Sequence, residues 1–165
     1  MALTTAVLLV IATSIAAVID VRVRRIPNVL TAALAVAALT LHASEGLAST
    51  AVAIASGLVA FAFGALAFSR GWFGGGDVKL LAAGCCLVSY PNCITLVVAV
   101  LATGALLALV SAALQGRLVA LIRSTASVAA HGSPTERIAL PYGIAIAGGS
   151  IVYSVLTLSP AFRFS

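Results

Sequence analysis

A chain of 165 residues that is 62% hydrophobic, only 8% charged and has a mean hydropathy of +1.22 is too apolar for a water-soluble domain of this size, and reads as an integral membrane protein. The net charge of +5 could point to nucleic acid, but the basic residues are not gathered on a polar domain. They lie in short stretches between apolar runs, as cytoplasmic loops do under the positive-inside rule, which argues against that partner.

A helix needs about 20 apolar residues to cross the hydrocarbon core. In chain order the candidate spans are Ala2–Ile19, Asn28–Ser44, Leu47–Ser69, Lys79–Tyr90, Cys93–Leu114 and Ile138–Leu158. The fourth is short, and requires extension through Pro91 or a thin or protein-lined path. Period-two alternation is absent and Ala and Leu dominate, so the expectation is an all-α polytopic protein of six helices in a single domain, 1–165. The N-terminal run has no basic segment before it and is longer than a signal-peptide core, which reads as a retained helix. Between the fifth and sixth spans, Leu118, Leu121, Ile122, Val128 and Ala129 recur at helical spacing, with Arg117, Ser124 and His131 on another face. That pattern predicts an amphipathic helix in the interface.

All but one of the nine basic residues fall in the loops that follow odd-numbered spans: Arg22, Arg24, Arg25, then Arg70 and Lys79, then Arg117, Arg123 and Arg137. Those loops are therefore read as cytoplasmic, with both termini outside and Arg163 on the far side. Cys85, Cys86 and Cys93 lack the Cys-x-x-Cys spacing of a zinc site and read as small apolar fillers. His42, near the outer boundary, and His131 form no ligand set. Trp72 and Tyr90 fit interfacial anchoring.

Two of the four acidic residues stand out. Asp20 closes the first apolar run and opens Asp20-Val21-Arg22-Val23-Arg24-Arg25-Ile26-Pro27-Asn28. Asp77 closes Gly71-Trp72-Phe73-Gly74-Gly75-Gly76-Asp77 and precedes Val78-Lys79. Each has an ordinary explanation: Asp20 as a solvated anion balanced by the arginines, Asp77 as the N-cap of the fourth helix. Ionisable groups at a membrane boundary are nonetheless functional candidates. An anion at a helix C-terminus opposes the macrodipole, whereas one at an N-terminus is favoured by it. Two such carboxylates brought together cannot both ionise cheaply, and the shared proton suits acid/base chemistry on water. The proton belongs to the pair rather than to either residue. Gly74, Gly75 and Gly76 let backbone approach another chain closely. A phosphate loop is disfavoured, since no Gly-Lys-Ser/Thr follows. Lys79 is read as snorkelling to the interface.

Taken together, Asp20 with Ile26-Pro27-Asn28, Gly74-Gly75-Gly76-Asp77 with Val78-Lys79, and Pro141-Tyr142-Gly143 resemble the motifs of the type IV prepilin leader peptidases, intramembrane aspartic proteases with a Gly-x-Gly-Asp motif. The resemblance covers nearly the whole chain. It implies that Asp20 and Asp77 are the catalytic dyad and that Gly74 and Gly76 shape the loop presenting Asp77. Gly75, Pro27, Asn28, Lys79, Pro141, Tyr142 and Gly143 would shape the loops or meet substrate.

Larger members of that family carry a cytoplasmic insertion with two Cys-x-x-Cys pairs and also methylate the cleaved pilin. Here only Asp20 to Pro27 separates the first two spans, so peptidase activity without methyltransferase activity is expected. The chain looks like the minimal Tad/Flp-type peptidases of the bacterial inner membrane, acting on prepilins and pilin-like proteins without metal or organic cofactor. An archaeal-type preflagellin peptidase is the nearest alternative. From other classes, a small transporter should place its acids near the bilayer midplane, and a non-catalytic assembly subunit should tolerate Asp→Asn changes.

Overall fold

The computed structural model describes residues 2–114 and 142–159. They form helices α1 (Ala2–Val23), α2 (Asn28–Glu45), α3 (Leu47–Ser69), α4 (Gly75–Val88), α5 (Asn92–Leu114) and α6 (Tyr142–Leu158), with no strand among the described residues. The all-α expectation holds. The predicted interfacial helix, Pro141 and Arg163 lie outside the described residues.

α1, α2, α3 and α5 are long and apolar enough to cross a membrane, whereas α4 has 14 residues and α6 has 17. At 1.5 Å per residue, α4 is about 21 Å long, short of the roughly 30 Å hydrocarbon core. No extension through Pro91 occurs. Instead, α4 takes the protein-lined path. Its residues from Ala82 to Val88 are all buried, enclosed by α2, α3 and α5. α6 in turn packs along α1 and α5.

Lipid gives helices no hydrophobic reason to associate, so close van der Waals fit must hold the bundle. The fully buried residues are accordingly small or snugly enclosed: Ala16, Ala38 and Ala53 beside Leu9, Leu80, Leu87 and Leu96. At Gly149 a Cβ would lie 2.5 Å from the Val100 Cα, so α6 crosses α5 where no side chain intervenes. Cys85 and Cys86 are free thiols inside this core, as fillers should be.

Three helix ends differ from expectation by more than one residue, for physical reasons. α1 continues past Ile19 to Val23, because Asp20 and Arg22 are polar without being helix breakers. It stops where Arg24 adopts a left-handed φ of 53° and its N–H bonds the Asp20 carbonyl at 2.8 Å. α4 starts at Gly75 rather than Lys79, since first-turn residues tolerate glycine. It ends before Tyr90, where Ser89 takes a φ of 50° and its N–H closes on the Cys85 carbonyl. α3 ends in a Schellman motif: Gly71 has a φ of 74°, its N–H bonds Phe68, and the Trp72 N–H bonds Ala67. That turn delivers Trp72 and Phe73 to the start of α4.

At the opposite end of the bundle His42 is buried rather than peripheral. Its Nε2 lies 3.1 Å from the Leu87 carbonyl, and its Nδ1 lies 2.8 Å from Ser49 Oγ and 3.2 Å from Glu45 Oε2. The cluster ties the α2–α3 turn to the last turn of α4.

Candidate active site

Up-and-down connections bring the C-terminal ends of α1 and α3 together with the N-terminal ends of α2, α4 and α6. Asp20 and Asp77 both belong to this end, and each lies in the electrostatic field of the other.

Asp20 occupies the last turn of α1 and is half-buried. Its Oδ2 accepts the backbone N–H of Gly143, in the first turn of α6, at 3.1 Å. A Cβ at Gly143 would stand 2.9 Å from the Asp20 Cβ, 3.0 Å from Oδ2 and 3.2 Å from the Ala17 Cα. Only glycine lets the two helices meet here. The carboxylate opposes the dipole of its own helix, and the N-terminal end of α6 offsets that.

Asp77 is not an N-cap. Gly74 holds that position, with a ψ of 145°, and Asp77 sits three residues in. Its carboxylate reaches back to accept the Gly74 N–H, the reciprocal half of a capping box. A Cβ on Gly74 would come within 2.6 Å of Asp77 Oδ2. Asp77 is 9% exposed, and its Oδ1 is buried with no hydrogen-bond partner among the described residues. Burial, then the charge of Asp20, pushes this carboxyl up to about 6, against the opposing Gly74 N–H.

Gly76 packs against the chain between α1 and α2, where a Cβ would meet the Ile26 Cβ at 3.0 Å. Gly75 faces the Phe68 ring. Phe73 meets Tyr142 with ring centroids 5.3 Å apart, and Tyr142 lies within electrostatic reach of Asp77. Pro27 is the N-cap of α2, and the Asn28 Oδ1 accepts from Lys79 Nζ at 3.0 Å. Lys79 thus has a protein partner, Asn28, a contact that neither snorkelling nor a substrate role of Lys79 had implied. Trp72 stands under the Arg70 guanidinium, 5.5 Å from its ring centroid.

Sequence reasoning missed three features of this end. Gly143 is the hydrogen-bond donor to Asp20, Ile26 is the surface Gly76 packs on, and Phe73 is the partner of Tyr142. The Phe73 position, inside the glycine-rich run and next to Trp72, was the available signal for the last.

Two open clefts run along α4. One, of about 750 Å³, lies between α3 and α5 and extends from Tyr90 past Ala60 and Phe63 to Phe73, whose ring meets Tyr142. The other, of about 420 Å³, lies between α2 and α3 and ends at Asn28 and Lys79, the pair joined by the hydrogen bond above.

An apolar helical bundle with two interacting carboxylates at one end defines a membrane protein equipped for hydrolytic acid/base chemistry. Residues 7–109, more than half of the chain and including both aspartates, match the model of the type IV leader peptidase family, and the chain belongs to that family. Comparisons with curated proteins and with solved structures give no match.

Proposed function

We propose that the protein is an aspartic endopeptidase of the bacterial inner membrane that removes the N-terminal leader from Flp/Tad-type prepilins and pilin-like proteins, with Asp20 and Asp77 as the catalytic dyad. The observation that carries this reading is Asp77: a buried carboxyl with one oxygen unpartnered among the described residues, its ionisation held up towards neutral pH beside a second carboxylate. Such a group is unfavourable for folding and suited to proton transfer at the working pH.

In this reading the pair shares one proton. One carboxylate takes a proton from water as the oxygen attacks the scissile carbonyl, and the other protonates the carbonyl oxygen. The dyad end faces the cytoplasm, following the arginines of the α1–α2 connection and Arg70, and both termini lie outside. The short connection from Arg24 to Pro27 leaves no methyltransferase insertion at that point. The apolar segment that follows the cut bond lies in the α3–α5 cleft, which opens beside Phe73, while the neighbouring cleft ends at the Lys79–Asn28 hydrogen bond.

The test is cleavage of a tagged Flp-type prepilin in membranes by wild type, Asp20→Asn and Asp77→Asn, with the level of each enzyme measured in the same samples. Loss of leader removal in both variants at normal abundance is the expected result. Normal cleavage by both reduces the motifs to caps and turns and favours a non-catalytic assembly subunit.

A further inference from the structure

The two carboxylates of the dyad are held differently, and the difference assigns their roles. Asp20 accepts a backbone N–H from a different helix, with that helix's N-terminal end aimed at it. A backbone N–H is a donor only, and a donor favours the ionised acceptor. Asp77 accepts one N–H from Gly74, while Oδ1 is buried without a donor among the described residues. An ionised carboxylate presents acceptor sites on both oxygens, and leaving one buried and empty is costly. A protonated carboxyl can place its hydrogen on Oδ1, which removes that cost and keeps a proton in store for the reaction.

We infer that the first turn of α6, through the Gly143 N–H, holds Asp20 as the ionised general base, and that Asp77 enters the reaction protonated as the acid. The inference rests on the peptidase reading above and deepens it. Asp20 takes a proton from water, the water oxygen bonds to the scissile carbon, and the Asp77 proton passes to the carbonyl oxygen, giving a gem-diol. Asp20 then gives its proton to the leaving nitrogen and the C–N bond breaks. Asp77 recovers a proton from a gem-diol hydroxyl, so peptide plus water yields acid plus amine and both groups are restored.

Among the described residues, the other ionisable groups near the pair do not reverse this assignment. Tyr142 of α6 is a neutral phenol in reach of Asp77. Lys79 of α4 is engaged by Asn28 of α2, and Arg70 lies over Trp72. Arg22, Arg24 and Arg25 are exposed at the end of α1 and in the connection to α2. Gly143 is a positioning residue: it touches Asp20 and not the substrate.

Two measurements test the assignment. In the first, the pH dependence of kcat/KM for prepilin cleavage is compared between wild type and Gly143→Ala in detergent. The new methyl displaces Asp20 from its donor, so the acidic limb moves up by about one pH unit and kcat falls with KM retained. A loss equal at every pH, tracking enzyme abundance, makes Gly143 merely structural and overturns its role. The second needs neither substrate nor Gly143→Ala: infrared spectra at about pH 5, where an ordinary Asp is largely ionised, of wild type, Asp20→Asn and Asp77→Asn. The protonated-carboxyl band should vanish in Asp77→Asn and persist in Asp20→Asn, and the opposite pattern overturns the assignment. If wild type cleaves no prepilin, the peptidase reading fails on its own and the infrared pattern still decides where the proton resides.

Discussion

Asp77 works against folding at neutral pH. Its folded-state value of about 6 stands above the ordinary 3.8, so the folded state binds the proton more tightly than the unfolded chain does. The favourable contribution is full below the unfolded value and is lost as pH rises through the folded one, a swing of about 3 kcal/mol. Asp77→Asn removes the titration. It should raise the thermal midpoint relative to wild type at about pH 8, with that advantage disappearing near pH 4, while abolishing cleavage. Thermal melts in detergent at the two pH values check this. A midpoint unchanged at both would show that Asp77 is better solvated than its burial implies. Asp20→Asn acts on the same group from a distance, removing the second cause of the shift, so the Asp77 carboxyl should ionise at a lower pH than in wild type when its infrared band is titrated.

Helix ends and crossings decide whether the two carboxylates meet. α1 ends on Arg24 in the left-handed region, which costs a non-glycine residue roughly 1–2 kcal/mol. Arg24→Gly should therefore stabilise the bundle by about 1 kcal/mol, read as a higher melting temperature. Gly149→Val forces a side chain into the Val100 backbone and should cost about 1–3 kcal/mol. Because α6 also carries Gly143, this variant should lose membrane abundance and cleavage together, which immunoblots and cleavage assays of the same samples can read. The boundaries of α2 and α3 and the start of α5 are legible to within a residue because Pro27, Gly46, Arg70 with Gly71, and Pro91 mark them in the chain. The end of α1 and the ends of α4 are not, since a charged residue reads as the end of a helix and a glycine as a loop, and neither stops a helical turn by itself. At the site, the aspartates and the glycine run were legible as a local pattern. The Gly143–Asp20 hydrogen bond joins residues 123 positions apart, and no local periodicity announces it. The ordinary reading of Asp77 as an N-cap is three positions off, because any of the first residues of a helix can use its carboxylate on a free N–H.

The bundle as a whole is lopsided, and that asymmetry gives a test of how substrate reaches the dyad. α4 is enclosed, while α3 has only 6% of its most apolar stretch buried, and α3 and α5 flank α4 without packing along each other. The cleft between them is lined on α3 from Val52 to Ala67, about 22 Å of helix rise, most of the roughly 30 Å hydrocarbon core. Phe63 and Val59 are 73% and 56% exposed there. A substrate whose scissile bond lies at the dyad and whose apolar helix continues into the membrane can bury one face along this cleft. Binding energy from that remote contact can then be used at the reacting centre. Ala60→Trp fills the cleft midway, and it should slow cleavage of a full prepilin by about tenfold, equivalent to 1.4 kcal/mol, while a peptide ending shortly after the cut site is cleaved as by wild type. Ala35→Trp, in the α2–α3 cleft that ends at the Lys79–Asn28 bond, should leave both substrates unaffected. If Ala35→Trp is instead the variant that discriminates against the full prepilin, the helix enters from the α2 side and the Lys79–Asn28 bond must open to admit it.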